Sequence, residues 1–351
     1  MKEALIGKTL SELKEIALQA GLPAYAGGQM AQWLYQKRAE NVGAMTNLSK
    51  AARSMLEEKY EVGLARPLEV FTSSDGTRKY LFPTAIPGKY IETVMIPGCE
   101  DGLDGGISRA TVCVSSQAGC KMNCSFCMTG RGGFHGQLSA ADIISQLLAI
   151  DESPQLTNAV FMGMGEPLDN WQEVSKALEI ITSDWGLGWS PKRVTLSTIG
   201  VIPKLKMFLD ESRCHLAVSL HDPFPDERAS LMPVQNSYPL QDVIKLIRRY
   251  DFSGQRRVSF EYTMFAGVND SPRHADALAR LLRGLECRVN LIRFHAIPDS
   301  PLRTSSPEAI AAFQSRLQKA GVTTTLRASR GEDILAACGL LAGKGLEKKN
   351  V

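Results

Sequence analysis

The sequence lacks the long apolar segments that place a protein in a membrane or export it. No run approaches the roughly 18 consecutive apolar residues that a membrane-spanning helix needs. The opening residues MKEALIGKTL do not contain the apolar core of a secretory signal peptide. These absences argue against a membrane span and against secretion, and we expect a cytoplasmic protein.

The chain also has little net charge and no internal repeat or low-complexity segment. Its 40 basic and 37 acidic residues leave a net charge of +3, too small to identify a nucleic-acid-binding protein by bulk charge. The length of 351 residues and a hydrophobic content of 44% are sufficient for about two domains with a sizeable core. Any surface that binds nucleic acid must therefore be local.

Two local groups of residues are candidates for such a surface. The first is the basic region 245–290, with Arg248, Arg249, Arg256, Arg257, Arg273, Arg280, Arg283 and Arg288. The second is an aromatic and basic group near the N-terminus, with Trp33, Tyr35, Lys37 and Arg38. Phosphate contact would use these side chains, but solvated helix faces account for the charges equally well.

The hydrophobic pattern divides the chain into four parts. Residues 1–64 have apolar positions at helical spacing and predict a small N-terminal helical accessory domain. Residues 65–109 have three β-prone segments separated by turn signals and end in the loop GCEDGLDGG, which we expect to be mobile. Residues 110–343 form the core, and residues 344–351 are a basic tail.

Within the core, short apolar strands alternate with helical patterns. The predicted strands lie at residues 110–116, 159–163, 193–198, 216–220, 257–264 and 288–294, and a seventh β-like run covers 322–329. This alternation indicates an α/β fold with a parallel sheet. Six units are fewer than the eight of a closed barrel, so we expect an open, partial (βα)6 barrel or a doubly wound sheet. Both place chemistry at the C-terminal ends of the strands.

Three of the eight cysteines form a compact cluster after the first core strand. Cys120, Cys124 and Cys127 are spaced C-x3-C-x2-C, and three thiolates on one loop can hold a [4Fe-4S] cubane while leaving one iron open. Structural zinc is the alternative, but a closed zinc site needs four ligands, and the sequence has no matching second Cys or His pair. We expect the iron–sulfur cluster.

This loop resembles that of the radical S-adenosylmethionine (SAM) superfamily. The resemblance implies a [4Fe-4S] cluster and SAM as cofactors, with SAM chelating the open iron. It also places cofactor contacts at the ends of the following strands. The residues at these positions are Gly165, Glu166, Ser197, Ser219, Leu220 and His221.

The similarity extends to one family of this superfamily. The strings CVSSQAGCKMNCSFCMTG, FMGMGEPL, RVTLSTIGV, LAVSLHDP, LMPV, EYTMFAGVND, VNLI and SRGEDILAACG, in this order, resemble the dual-specificity RNA adenine carbon-2 methyltransferases. The segments MAQWLYQK and MTNLSK are similar to that family's accessory domain. The resemblance implies large-subunit ribosomal RNA and transfer RNA as substrates, with an external electron donor and a thiol reductant. We expect the enzyme to act as a monomer.

The resemblance also implies roles for further residues. Carbon 2 of adenine is electron-poor, and the family methylates it by a radical route through an S-methylcysteine and a covalent thioether to RNA. Cys338 matches the methyl-carrying cysteine, Cys113 the cysteine that resolves the thioether, and Glu92 the general base. Cys113 and Cys338 would then form a transient disulfide. One position departs from the family, since His295 stands where an Asn usually contacts the cofactor.

Two other functions remain open at this point. A sister enzyme methylates carbon 8 of the same ribosomal adenine, confers antibiotic resistance and uses the same cluster and cysteines. A non-catalytic iron–sulfur or zinc RNA-binding factor would need the loop cysteines but neither Cys113 nor Cys338. Cys99, Cys214 and Cys287 match no motif, and we expect them to be structural or incidental.

Overall fold

The structure is a computed structural model that describes residues 2–98, 109–254 and 256–343. Cys99, the basic tail 344–351 and the loop GCEDGLDGG beyond its first residue lie outside the described residues. Among the residues described, we find no helix with the length and hydropathy that a bilayer span requires.

The described chain contains the following helices and strands. The α-helices are α1 (Leu10–Gln19), α2 (Tyr25–Ala31), α3 (Lys50–Lys59), α4 (Met128–Arg131), α5 (Ala140–Leu148), α6 (Trp171–Thr182), α7 (Ile202–Glu211), α8 (Pro225–Leu231), α9 (Leu240–Ile247), α10 (Pro272–Leu282) and α11 (Pro307–Lys319). The strands are β1 (Glu3–Ala4), β2 (Tyr60–Glu61), β3 (Glu69–Thr72), β4 (Arg78–Pro83), β5 (Tyr90–Ile96), β6 (Thr111–Cys113), β7 (Gln117–Gly119), β8 (Phe134–Gln137), β9 (Asn158–Phe161), β10 (Val194–Thr198), β11 (His215–Ser219), β12 (Val258–Met264), β13 (Arg288–Arg293) and β14 (Thr323–Leu326). A π-helical turn at Gln32–Gln36 follows α2, and short 3-10 turns connect several elements, among them Glu332–Ile334 near the C-terminus.

The core is one sheet with the strand order β14-β13-β12-β11-β10-β9-β6-β5-β4-β3. From β6 to β14 neighbouring strands are parallel and follow chain order without a reversal, which excludes the doubly wound alternative. All six predicted core strands are present, and β14 adds a seventh parallel strand. Residues on or next to each strand from β9 to β14 line one cavity, so the sheet curves around it as an open barrel. The expected fold class is confirmed.

The predicted β-rich extension is continuous with this sheet. Strands β3, β4 and β5 pair antiparallel with one another, and β5 pairs antiparallel with β6. The extension therefore forms one edge of the core sheet instead of standing apart from it. The proposed domain limits at residues 64 and 109 stay a prediction.

Strands β9 to β12 of the parallel series are buried along most of their length. In β13 and β14, buried residues alternate with partly or fully exposed ones. In β12, six of the seven residues are buried, as expected for a parallel strand between two covered faces. Ser139 and Asp142 form a capping box that starts α5, and the buried Ile143, Ile144 and Leu147 pack its inner side into the core.

The N-terminal helices pack directly on the core. Tyr35 contacts the Trp185 ring edge to face at 5.9 Å between centroids, and Lys176 of α6 pairs with Glu12 of α1 at 2.7 Å. A Cβ atom at Gly7 would lie 2.3 Å from the backbone nitrogen of Ala141, so the turn before α1 lies against the start of α5. Since Tyr35 is buried, its role in this structure is packing.

Candidate active site

The cysteine loop is held at its base by the hairpin of β7 and β8. Gly119 has a φ of +77°, and a Cβ atom there would lie 1.9 Å from the Gly133 carbonyl oxygen. The Cys120 N–H donates to that same oxygen at 3.0 Å. Because only glycine permits this close approach, the sequence at 119 fixes where the loop begins.

Cys120, Cys124 and Cys127 all line one cavity with about 960 Å³ of empty space, counting its open mouth. Their sulfur atoms do not all lie within 4.8 Å of one another in the described structure. Ligands of a single tetrahedral zinc with Zn–S bonds of about 2.3 Å would lie roughly 3.8 Å apart. Three thiolates on one loop are the donor set of an iron–sulfur cubane with one open iron, whereas a closed zinc site would need a fourth protein ligand.

Polar residues from successive strand ends form the cavity wall beside the cysteine loop. Gly165, Glu166, Ser197, Ser219 and His221 all line the cavity. Gly165 has a φ of +96°, and a Cβ there would lie 2.4 Å from that of Gln117. The sequence prediction that these residues converge at one rim therefore agrees with the geometry, although their contacts with a cofactor stay a prediction.

Glu166 is held firmly within this wall. Its carboxylate accepts hydrogen bonds from the Thr198 hydroxyl at 2.6 Å and from the backbone N–H groups of Leu168 and Ile199, each at 3.0 Å. Burial outweighs these hydrogen bonds and raises the pKa of Glu166 to about 7. A cationic partner such as an ammonium group would therefore stabilise the ionised carboxylate.

Two predicted cofactor residues lie outside the cavity lining. Leu220 is fully buried behind the wall. His295 exchanges a hydrogen bond with the Ser329 hydroxyl at 3.1 Å, and its other ring nitrogen lies 3.7 Å from a Glu332 carboxylate oxygen. In this structure, His295 therefore contacts the C-terminal segment.

The sequence patterns assigned no role to several lining residues, although three of them lie within quoted family strings. Thr198, Glu261, Thr263, Phe294 and Arg327 line the cavity, and each lies on a core strand or next to one. Arg327 donates to a Glu261 carboxylate oxygen at 3.2 Å. The sequence did contain a signal for this pair. Glu261 in EYTM and Arg327 in TLRAS are charged residues in otherwise apolar strands, which is typical of a functional site.

Cys338 reaches the same cavity from the C-terminal segment. This segment is tied to the cysteine loop, because the Met128 N–H donates to the Gly339 carbonyl at 2.8 Å and the Thr129 hydroxyl donates to the Leu341 carbonyl at 2.6 Å. The Cys338 side chain is exposed toward the cavity. The surrounding walls still desolvate the thiol and raise its pKa. The structure thus brings Cys338 together with the three loop cysteines.

Cys113 lies on β6, opposite Val94 of β5 and Val160 of β9. It is buried, and this burial, followed by the proximity of the Cys338 thiol, raises the pKa of Cys113 to about 12. Arg327 lies near enough to both thiols to lower their pKa values in part. Cys113 is not among the cavity-lining residues, but its thiol lies close enough to the Cys338 thiol for Cys338 to raise its pKa.

Glu92 lies on β5 and is almost fully buried. Its carboxylate pairs with the equally buried Lys79 at 2.9 Å and accepts hydrogen bonds from the backbone N–H groups of Ala342 at 2.7 Å and Gly343 at 3.0 Å. These contacts anchor the chain just after Cys338. Glu92 is not among the cavity-lining residues in this arrangement.

A second cavity, of about 1070 Å³ including its open mouth, lies at the N-terminal ends of the parallel strands. It shares Met162, Glu261 and Arg327 with the first cavity, so the two spaces meet inside the barrel. Basic side chains dominate its lining, namely Arg109, Lys192, Arg193, His215, Arg257, Arg288 and Arg327. We call this lining the basic mouth.

Electrostatics at the basic mouth are strongly positive. Burial, followed by the charges of Arg257 and Arg288, lowers the pKa of His215. Of the arginines singled out between residues 245 and 290, only Arg257 and Arg288 line this cavity. Arg256 is buried and donates to three backbone carbonyls, and Arg248 donates to the carbonyls of Leu281 and Arg283. Position in the fold therefore separates the two arginines of the basic mouth from Arg248 and Arg256, whose guanidinium groups are bound to backbone carbonyls.

Two family models match the chain. The Radical SAM superfamily model matches residues 114–279, and the model of the ribosomal RNA large subunit methyltransferase N-terminal domain matches residues 4–62. The superfamily uses a [4Fe-4S] cluster and SAM, so the expected cofactors are confirmed.

Whole-chain similarity is high. The chain is 55% identical over 341 residues to a probable dual-specificity RNA methyltransferase RlmN of Parabacteroides distasonis, covering 97% of each chain. It is 43% identical over 345 residues to the dual-specificity RNA methyltransferase RlmN of Syntrophus aciditrophicus, again covering 97% of each. The crystal structure of a radical SAM methyltransferase from Sphaerobacter thermophilus superposes with a TM-score of 0.88 at 39% identity, covering 97% of this chain and 100% of that one. The chain therefore belongs to the RlmN-type family of radical SAM dual-specificity RNA methyltransferases.

Proposed function

We propose that this enzyme methylates carbon 2 of adenosine in the peptidyl transferase centre of large-subunit ribosomal RNA and, in transfer RNA, next to the anticodon. The observation that carries this proposal is the presence of Cys338 in the same cavity as Cys120, Cys124 and Cys127. A methyl carrier must face the cofactor that loads it and the substrate that receives its carbon. The Cys338 side chain is exposed in this cavity.

The residues of the cavity divide into a cluster side and a cofactor side. Cys120, Cys124 and Cys127 would hold the cluster, and Glu166, with the serines and His221 of the wall, would hold SAM. When bound, the cluster and SAM supply a methyl group and a carbon-centred radical. Cys338 would accept the methyl group at its sulfur, which faces this cavity.

Cys113 and Glu92 would complete the reaction. Cys113 would supply the thiolate that releases the product from Cys338, and the closeness of the two thiols supports this role. Glu92 would accept the ring proton from the substrate. Before that step, the hydrogen bonds from the backbone N–H groups of residues 342 and 343 to the carboxylate must break. Proton transfer would therefore require a shift of the segment that carries Cys338.

We propose that RNA enters through the basic mouth. The target adenine is approached from the N-terminal ends of the strands, because the cysteine loop and the Cys338 segment lie on the other side. The cations of the basic mouth would bind phosphates flanking the target while the base reaches Arg327 and Glu261, where the two cavities meet. The enzyme would work on RNA in the cytoplasm as a monomer, served by an external electron donor and a thiol reductant.

Replacing Cys124 with Ala should remove the cluster. Two remaining thiolates cannot hold a cubane that already has one open iron, so we expect less than one iron per chain instead of about four, and loss of the brown colour and of SAM cleavage. Iron analysis of anaerobically purified protein measures this. Cys214, which is buried outside the cavity, provides the matched control: Cys214→Ala should retain iron. Stoichiometric zinc in an active enzyme would contradict the prediction.

Replacing both Arg257 and Arg288 with Gln should weaken RNA binding in a salt-dependent way. Two lost phosphate contacts should reduce the slope of log affinity against log salt by about 2. Fluorescence anisotropy with a labelled ribosomal RNA fragment measures this slope. Arg280→Gln with Arg283→Gln is the charge-matched control, since both side chains are exposed outside the basic mouth. Equal slopes for the two double variants would exclude this entrance.

Nucleoside analysis tests the proposed function as a whole. Reconstituted enzyme, labelled SAM, a reductant and a ribosomal RNA fragment should yield 2-methyladenosine and 5′-deoxyadenosine. A methyl group at carbon 8 would assign the chain to the sister reaction instead. Absence of both products with an intact cluster would favour a non-catalytic RNA-binding factor.

A further inference from the structure

Behind the cavity wall, three side chains from separate elements converge on one point. Asp222 follows β11, Glu227 lies on α8 and His274 lies on α10. One ligand-type atom from each of them lies within 4.8 Å of the others. His274 Nε2 is 2.8 Å from Glu227 Oε2 and 3.8 Å from Asp222 Oδ2.

The other polar atom of each side chain already has a partner. Asp222 Oδ1 accepts the Phe224 N–H at 2.8 Å, Glu227 Oε1 accepts from Arg273 at 2.7 Å, and His274 Nδ1 lies 2.6 Å from the Ser271 hydroxyl. Each side chain is thereby oriented from behind, with its second atom directed at the shared point. Ligands of metal ions are commonly fixed in this way by a hydrogen bond to their outer atom.

Asp222 Oδ2 is an independent feature that points to a ligand at this position. Its side chain is fully buried, and within the described part of the chain no donor lies within hydrogen-bond distance of Oδ2. A buried carboxylate oxygen without a hydrogen bond is costly, at about 1–3 kcal/mol or more for a charged group. A cation at the shared point would compensate it.

We propose that Asp222, Glu227 and His274 form a binding site for one divalent transition-metal ion, with zinc the best match. One imidazole nitrogen and two carboxylate oxygens are common zinc ligands, and water would complete the tetrahedron. Ligand atoms bonded at about 2.0–2.1 Å to one tetrahedral ion lie roughly 3.3 Å apart. The two distances from His274 Nε2 fall on either side of that value, so small side-chain shifts suffice. Glu227 is partly exposed and gives the ion a route from solvent.

A metal ion at this site would stabilise the cavity wall without lining the cavity. Asp222 directly follows His221, which lines the cavity and has a φ of +58°. An ion bound by Asp222 would tie the end of β11 to α8 and α10 and so hold that part of the cavity wall in place. The site is distinct from the cysteine loop and does not depend on the proposed reaction.

Zinc content measured alongside iron content tests the proposal. Holoenzyme with its cluster intact is dialysed anaerobically against zinc chloride, and both metals are counted per chain by elemental mass spectrometry. The wild-type enzyme should take up one zinc more than Asp222→Asn at equal iron content, and zinc should raise its Tm. Glu227→Gln should bind zinc at least about 10-fold more weakly.

The neighbouring Asp226 supplies the matched control. It lies on α8 like Glu227, carries the same charge as Glu227 and is exposed. Asp226→Asn should bind zinc like the wild type. Equal zinc uptake by the wild type, Asp222→Asn and Glu227→Gln would overturn the proposal and assign the cluster to a shared proton. Since Glu227 is only partly buried, we expect Glu227→Gln to fold. The zinc uptake of this variant therefore tests the proposal even if Asp222→Asn fails to fold.

Discussion

Replacing Cys338 with Ala should abolish RNA methylation while leaving the iron content unchanged. The methyl group would have no sulfur to carry it, and the proposed cluster ligands lie far away in sequence, at residues 120–127. We expect no 2-methyladenosine above background and about four irons per chain. Nucleoside mass spectrometry and iron analysis on the same preparation measure the pair of outcomes.

A purely structural cysteine would behave differently at this position. Loss of one sulfur from an exposed side chain should cost at most about 1–2 kcal/mol in stability and leave catalysis largely intact. Digestion of the wild-type protein should also give a Cys338 peptide heavier by one methyl group when SAM was present during expression. An active Cys338→Ala enzyme, together with a peptide that is never methylated, would refute the proposed mechanism.

The rim of the active site could be predicted from the sequence because its residues follow a simple topological rule. Carboxyl ends of parallel strands meet at one edge, so residues that end separate strands, such as Ser197 and Ser219, converge. The cysteine spacing is local and needs no knowledge of the fold. Both kinds of signal depend on short stretches of chain.

The rest of the site is formed by contacts between residues far apart in the sequence, and the hydrophobic pattern does not predict such contacts. Glu261 on β12 and Arg327 next to β14 form an ion pair across one intervening strand, β13, and neither sequence segment indicates the other as its partner. Glu92 could be matched to a family role, but its burial with Lys79 follows from the register of β4 and β5. The basic mouth likewise gathers arginines from several strand starts, which a count of charges along the chain does not reveal.

Replacing Cys113 with Ala should trap RNA on the protein. In the proposed mechanism, the thioether between Cys338 and the substrate would still form, but the thiolate that displaces Cys338 would be missing. We expect the variant to purify with RNA attached covalently, visible as a nuclease-sensitive shift on a denaturing gel and as a nucleotide-modified Cys338 peptide. Since Cys113 lies between Val94 and Val160 in the sheet, Ala should be accommodated there at a cost of about 1 kcal/mol.

Two further variants make this result specific. Cys113→Ala combined with Cys338→Ala should carry no RNA, because the attachment point is gone. Cys214→Ala removes another buried thiol and should turn over normally without an adduct. Repeated turnover by Cys113→Ala would remove this residue from the mechanism. An adduct that persists in the double variant would show that a residue other than Cys338 carries the methyl-derived carbon to RNA.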